Sequence, residues 1–144
     1  MKSAIVGHLV GAVVAALIGL LAAILYMFVE KTILGHAKQG MDGLAMVATL
    51  IVFPIANGVF TLLLWAPTSM LWQRKKGLPS GRNSLLAGLA LGFVVAMIWA
   101  GPSGFTTRGG ASLYNYYLIP MFGLAALVDT WFVRRFAQSR AKAI

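Results

Sequence analysis

Residues 4–29 read AIVGHLVGAVVAALIGLLAAILYMFV and contain no Lys, Arg, Asp or Glu. A helix needs about 20 mainly apolar residues to cross the hydrocarbon core of a bilayer, so this stretch predicts a transmembrane helix. It is longer than the apolar segment of a signal peptide, which has about 7–15 residues, and no A-x-A-like cleavage site lies at a suitable boundary. We therefore interpret it as a helix that the protein retains.

Three further stretches without charged residues follow, at residues 43–73, 83–107 and 109–128. Charged residues make up 10 % of the 144 residues and hydrophobic residues 60 %, whereas a soluble domain is typically about 25 % charged. A globule this small cannot bury so much apolar surface. The predicted fold class is therefore all-α, a single integral membrane domain built as a four-helix bundle. The predicted helices cover approximately residues 4–29, 44–65, 84–100 and 113–133.

The basic residues predict the orientation of the bundle, because cytoplasmic loops carry an excess of Lys and Arg. Lys2 precedes the first helix, four basic residues lie between the second and third helices, and four follow the last. An even number of crossings places all of them on one side, so both chain ends are predicted to be cytoplasmic. The expected location is a bacterial cytoplasmic (inner) membrane.

The same basic side is expected to attract anionic lipid headgroups, at about 1 kcal/mol per residue near the surface. The predicted lipid contacts are Arg74, Lys75, Lys76, Arg82, Arg134 and Arg135. Membrane lipids are therefore expected partners. Nucleic acid is not expected, because no soluble fold is available to present a groove reader.

Pro67 predicts that the second helix ends or bends near Trp65, since proline removes a backbone N–H and clashes with the preceding turn. Trp65, Trp72 and Trp131 are then expected at the inner interface. Indole rings prefer that depth because the ring is half buried while the N–H stays hydrated.

Small residues recur at every fourth position of the first and third helices. In lipid there is little hydrophobic drive between helices, and small residues let two backbones approach closely. The predicted packing residues are Gly7, Gly11, Gly19, Gly88 and Gly92. Two interpretations stay open: packing within one bundle, and a contact with another membrane protein or with a second copy of this chain.

The second half of the chain weakly repeats the first. Pro54 and Trp65 of the second helix have counterparts at the same spacing in Pro120 and Trp131 of the fourth. This pattern predicts a duplicated helical hairpin in parallel orientation, an arrangement found in transporters. A chance match between apolar helices is the alternative.

Asp129 is the one acid predicted to lie inside the membrane, about one turn from the basic end of the fourth helix. An intramembrane ionisable residue is a functional hypothesis by default. The alternative is a structural ion pair with Arg134, Arg135 or the basic connector. His8 is expected at the same depth, where it either forms a proton relay with Asp129 or binds a neighbour.

Asn57 lies near the middle of the second helix, and Thr61 follows one turn later. An Asn in such a position either forms an interhelical hydrogen bond worth about 1 kcal/mol or lines a polar path. If a solute crosses the bundle, the residues expected to line its route are His8, Asn57, Thr61 and Asp129.

No metal, cofactor or catalytic site is expected. The chain has no cysteine, and His8 and His36 fall on opposite sides of the predicted membrane, so no three-ligand metal set forms. The predicted helices also bring no Ser, His and Asp to one depth with a nucleophile elbow. The first functional hypothesis is a non-enzymatic structural or accessory subunit that binds a membrane partner. The second is a small oligomeric transporter or channel for an ion or small solute.

Overall fold

The computed structural model describes residues 2–32, 43–100 and 110–141, and these ranges contain helices and one short connector but no β-strand. The helices are α1 (Lys2–Thr32), α2 (Gly43–Val59), a π-helical segment (Phe60–Trp65), α3 (Ala66–Lys76), α4 (Gly81–Ala100) and α5 (Gly110–Ala141). Because α2, the π-helical segment and α3 follow one another without a break, we call them together the second span. Four helical runs are long and apolar enough to cross a membrane. The predicted all-α class is therefore confirmed, together with four helical runs that have the length and composition of membrane spans.

The predicted end of the second helix at Trp65 is wrong, because the second span continues to Lys76. Pro67 lies in the first turn of α3, directly after the π-helical segment, where the pattern of backbone hydrogen bonds changes. The backbone N–H of Ala66 donates to the carbonyl of Thr61, which is the wider hydrogen bond of a π-helix. Gly77, with φ of 75°, ends the helix.

The other helices also extend beyond their predicted bounds. α4 begins at Gly81 rather than at residue 84, because the Ser80 hydroxyl accepts a hydrogen bond from the Asn83 backbone N–H at 3.2 Å and caps the helix. α5 runs from Gly110 to Ala141, past the predicted end at 133, since no Gly or Pro interrupts residues 134–141. α1 covers Lys2–Thr32 instead of 4–29.

α5 is the central helix of the bundle. α1 and α4 pack on opposite parts of its surface, and α1 also packs along α2. The buried core lies between α1, the second span and α5, and it includes Ala15, Phe53, Phe60 and Ala125. α4 packs almost entirely on α5 and lies at the edge of this core.

Two backbones approach closely at four of the five predicted packing glycines, which are Gly7, Gly11, Gly19 and Gly88. A methyl group on Gly19 would lie 2.6 Å from the carbonyl oxygen of Phe53. One on Gly88 would lie 2.8 Å from the carbonyl oxygen of Phe122, and one on Gly7 2.8 Å from the Cα of Val133. Gly92 is looser, with the Phe122 side chain at 3.1 Å. The small residues of α1 and α4 therefore both contact α5, and those of α1 also contact α2.

The two tryptophans of the predicted repeat have different environments. Trp65 is fully buried, whereas Trp131 is 57 % exposed. The expectation that Trp65 lies half exposed at the inner interface is therefore wrong, because its ring fills the junction between α1 and α5. The duplicated hairpin and the orientation with both ends in the cytoplasm stay predictions.

Candidate functional site

Three helices bring polar side chains together near the basic end of the bundle. His8 comes from α1, Ser69 from α3 and Asp129 from α5, and all three are buried. Ser69 precedes Arg74 by five residues, and Asp129 precedes Arg134 by five. At 1.5 Å per residue, each side chain lies about 8 Å along its helix from the arginine that follows it. Ser69 and Asp129 therefore lie at about the same depth on their helices, and His8 contacts both of them.

His8 and Asp129 form a direct hydrogen-bonded pair. The Nδ1 atom of His8 lies 2.7 Å from the Oδ2 atom of Asp129. Of the partners considered for Asp129, the structure shows His8, and among the described residues no ion pair joins Asp129 to Arg134, Arg135 or the basic connector. The short helix-to-helix distance at Gly11 brings His8 to the carboxylate before any arginine can reach it.

Ser69 completes a chain of hydrogen bonds through the histidine ring. Its hydroxyl oxygen lies 3.4 Å from His8 Nε2 and 2.9 Å from the carbonyl oxygen of Ala66. A serine has one hydrogen to donate. When that hydrogen goes to Ala66, as the shorter distance favours, Nε2 must itself donate to Ser69. This pattern places a hydrogen on Nε2, and a further hydrogen is shared between Nδ1 and the Asp129 carboxyl group across the 2.7 Å contact.

The indole of Trp65 also acts on the Asp129 carboxylate, although outside regular hydrogen-bond geometry. Among the described residues, Asp129 Oδ1 and Trp65 Nε1 are both buried without a regular hydrogen bond. One is an acceptor and the other a donor. The carboxylate is thus bonded to His8 through one oxygen and has the indole of Trp65 as a second polar neighbour.

Gly11 makes room for this carboxylate. A methyl group on Gly11 would lie 2.8 Å from the Cα of Asp129 and would overlap its Oδ1 atom. One turn earlier, Gly7 gives the same close approach to Val133. The two glycines therefore let α5 sit against α1 at the level of His8.

Asn57 and Thr61 lie deeper in the membrane on the second span. The Asn57 amide donates from Nδ2 to the carbonyl oxygen of Ala15 at 2.6 Å, which links the second span to α1. The Thr61 hydroxyl donates to the carbonyl oxygen of Asn57 at 2.8 Å. The other Asn57 amide atom, Oδ1, is buried without a hydrogen-bond partner among the described residues. Asn57 therefore both joins two helices and leaves an acceptor in the core.

The buried face of the second span repeats every fourth residue. Its members are Thr49, Phe53, Asn57, Thr61, Trp65 and Ser69. Four residues of an α-helix turn the chain by about 400°, which is about 40° more than one full turn. After five such steps the last side chain would therefore point to the opposite face of the helix. A π-helical turn holds more residues and turns the chain less per residue, which reverses the drift. The π-helical segment thus keeps Ser69 on the same face as Asn57.

Aromatic rings close the other half of the core. The rings of Tyr26 and Phe53 lie 5.9 Å apart, and Tyr26 meets Tyr117 edge to face at 5.2 Å. Both Tyr26 and Phe53 are fully buried. Nearer the middle, Phe60 stacks on Phe122 at 4.2 Å. Polar side chains therefore occupy the half of the core next to the basic end, and aromatic side chains occupy much of the other half.

The basic residues have two different environments. Arg74, Lys75, Lys76, Arg82 and Arg135 are exposed, as lipid contacts must be. Arg134 is only partly exposed, and its guanidinium donates to the carbonyl oxygens of Leu78, at 3.5 Å, and Pro79. Arg134 therefore holds the connector between α3 and α4 against α5, in addition to any contact with a headgroup.

Of the four residues predicted to line a path, the structure brings His8 into contact with Asp129 and Asn57 into contact with Thr61. Sequence reasoning missed Ser69 and Trp65. The structure does bring Ser69, His8 and Asp129 to one place, but Ser69 sits within α3 and not at the nucleophile elbow that the sequence was searched for. The available signal was the four-residue spacing from Asn57 through Trp65 to Ser69. In the described ranges no group of three His, Cys, Asp or Glu side chains is arranged to hold a metal.

Comparisons with protein-family models, curated proteins and solved structures found no match. By composition and helix length the chain belongs to the class of integral membrane proteins with four candidate spans.

Proposed function

We propose that this protein is a small, non-enzymatic membrane protein that moves an ion or small solute through a polar path between α1, the second span and α5. One observation carries the proposal: a fully buried His8–Asp129 pair, at 2.7 Å, where three spans meet. A charged group inside a membrane is costly and marks transport routes and proton relays more often than it serves packing. A buried ion pair is also a poor stabiliser, since apolar side chains of similar size are often as good or better.

The arrangement of the core supports a path that is open to one side at a time. Asn57, Thr61, Trp65 and Ser69 supply polar atoms from the middle of the membrane to the basic end. Over these residues the helix rises about 18 Å, at 1.5 Å per residue. The aromatic rings of Tyr26, Phe53 and Tyr117 fill the opposite half. This is the geometry expected of a transporter whose outer side is closed.

A flux measurement tests the proposal. The purified protein in lipid vesicles is expected to release a trapped ion or solute from a panel of small compounds, and Asp129→Asn and Asn57→Leu are each expected to reduce that flux at least tenfold. Thr68→Val serves as the matched control, because the Thr68 hydroxyl bonds only to the backbone carbonyl of Leu64 on the exposed side of α3. Flux that survives both core substitutions, or that falls equally in the control, would contradict the path.

A second candidate is the structural or accessory subunit. It is favoured by the use of Asn57 and Arg134 to bind the protein's own backbone, at Ala15 and at the connector. Under this function the polar core fastens the bundle, and a membrane partner or a second copy covers part of the outward face. Absence of flux, together with a stoichiometric membrane protein that co-purifies in mild detergent, would favour it.

The orientation proposed for either function has both ends on the cytoplasmic side of a bacterial inner membrane, with the exposed basic residues against anionic lipid. Because the chain has no cysteine, single cysteines can be introduced without a background. Cysteines replacing Arg82 and Arg135 are expected to react with an impermeant maleimide from the same side of the membrane. Reaction from opposite sides would overturn the four-crossing topology.

A further inference from the structure

We infer that the moving ion is a proton, and that Ser69, His8 and Asp129 form the site that holds it. This inference rests on the transport function proposed above. The site has three members in contact: the Asp129 carboxylate, which bonds to Nδ1, the His8 ring, which carries the exchanging proton on Nε2, and the Ser69 hydroxyl, which bonds to Nε2. Their contacts are 2.7 Å from Oδ2 to Nδ1 and 3.4 Å from Nε2 to the hydroxyl oxygen.

The hydrogen bonds allow one proton to enter and leave without breaking the site. In the loaded form, Nδ1–H donates to Asp129, Nε2–H donates to Ser69, and the Ser69 hydroxyl donates to the Ala66 carbonyl. When the Nε2 proton leaves to water on the basic side, the Ser69 hydroxyl turns from Ala66 to donate to Nε2. Nδ1 keeps its hydrogen, and the net charge of the site falls from zero to minus one.

The ligands present fit a proton better than a metal cation. Sodium and calcium ions take several oxygen ligands, whereas this cluster offers one carboxylate, one hydroxyl, an imidazole and an indole N–H that repels cations. Imidazole is the side chain whose ordinary protonation change falls near neutral pH. The described residues also form no three-ligand metal group.

The charged and polar neighbours of the site are few. Within residues 2–32, 43–100 and 110–141, His8 is the one titratable group that acts on the Asp129 carboxyl group, while the π-helical segment contributes Trp65 and α3 contributes Ser69. Arg134, on α5 itself, is turned to the carbonyl oxygen of Pro79. Arg82 of α4 is exposed. A gained or lost proton at this pair is therefore not offset by another nearby charge, so exchange requires the site to meet water.

Distance favours exchange with the basic side. Asp129 lies about 8 Å along α5 from Arg134. With Arg134 at the edge of a hydrocarbon core of about 30 Å, about 22 Å remain on the other side. That longer distance includes the aromatic rings of Tyr26 and Phe53. Passage to the far side therefore requires these rings to separate.

Nitrogen NMR of the histidine ring tests proton binding directly. The chain has two histidines, so His36→Gln leaves His8 as the one imidazole to be labelled with ¹⁵N. In lipid bilayers, between about pH 5 and 9, the Nε2 signal is expected to change from protonated to unprotonated while Nδ1 keeps its hydrogen. Asp129→Asn is expected to remove the strongly hydrogen-bonded Nδ1 proton signal. A ring fixed in one state over this range, or spectra unchanged by Asp129→Asn, would overturn the proton site.

Vesicles with a trapped pH-sensitive dye separate this inference from the transport function. An imposed pH gradient is expected to collapse at least tenfold more slowly with His36→Gln/His8→Phe than with His36→Gln alone, and Ser69→Ala is expected to slow it less. Solute flux that needs no gradient and tolerates His8→Phe would overturn the proton as the coupled ion but leave transport standing. A His8 ring that titrates, in vesicles that show no flux, would overturn the transport function but leave the proton site standing.

Discussion

Gly11→Ala is expected to lower the free energy of unfolding by about 1–3 kcal/mol, the usual cost of overpacking a tight interface. The added methyl group would lie 2.8 Å from the Cα of Asp129 and would overlap its carboxylate. The Cα belongs to the backbone and cannot turn aside, and the carboxylate is bonded to His8, so α1 and α5 must move apart. Unfolding of the purified protein in detergent, followed by circular dichroism, measures the loss. The same shift is expected to lengthen the contact between His8 and Asp129.

Gly58→Ala is the matched control for Gly11→Ala. Gly58 also lies within a helix, but a methyl group there meets its nearest atoms, on Ala16 and Ala12, at 3.8 and 3.9 Å. That is ordinary van der Waals contact. Alanine has a higher helix propensity than glycine by about 0.8–1 kcal/mol, so this variant is expected to be as stable as the parent or more so. Equal losses for the two variants would show that the α1–α5 approach at Gly11 has no special tightness.

The four spans could be predicted from the sequence because each apolar residue adds to the preference of its helix for lipid. Each predicted span overlaps a stretch of 20 or more residues without charge, and no local interaction has to be known for lipid to favour such a stretch. The helix ends were less predictable. The sequence rule for Pro67 assumes an α-helix before the proline, whereas a π-helical segment carries the chain past it to Lys76. That segment depends on packing against α1 and α5, which no local rule contains.

The membership of the site shows the same limit. Asp129 and His8 could be singled out because an ionisable residue in an apolar helix is conspicuous. Ser69 could not, since a serine that binds the carbonyl of its own helix is common and usually structural. Trp65 was assigned to the interface by its residue type, although its ring packs inside the bundle. In each case the missing information was the rotation of one helix about its axis, which the four-residue spacing of the buried face records.

The glycines show a complementary case. Their spacing predicts close helix contacts, but it does not name the partner, because a small residue accepts many surfaces. The structure assigns Gly7 and Gly11 to α5 and Gly19 to α2. The small residues of α1 thus contact two neighbouring helices, because those near its start lie against α5 and Gly19 lies against α2. Gly11 is the packing glycine that lies directly against Asp129, a member of the site.

Removing one member of the His8–Asp129 pair is expected to destabilise the protein far more than removing both. Asp129→Leu has the same number of side-chain atoms but leaves the buried Nδ1–H of His8 without its acceptor. His8→Phe leaves a buried carboxylate with the indole of Trp65 alone. Each single change is expected to cost about 3–5 kcal/mol, as breaking a buried pair usually does. The double variant is expected to recover most of that loss, because an apolar pair of similar volume fits an apolar core.

The double variant also separates the two roles that a buried pair can have. Stability measured by unfolding in detergent should return, whereas proton and solute flux in vesicles should stay absent. Recovery of both would mean that the pair serves assembly alone, as the accessory function requires. Losses that simply add in the double variant would mean that His8 and Asp129 do not interact in the folded protein, against the 2.7 Å contact between them. Recovered stability without flux is the result expected if the pair is retained for its chemistry. Replacing a buried ion pair by apolar side chains of similar volume is often neutral or stabilising.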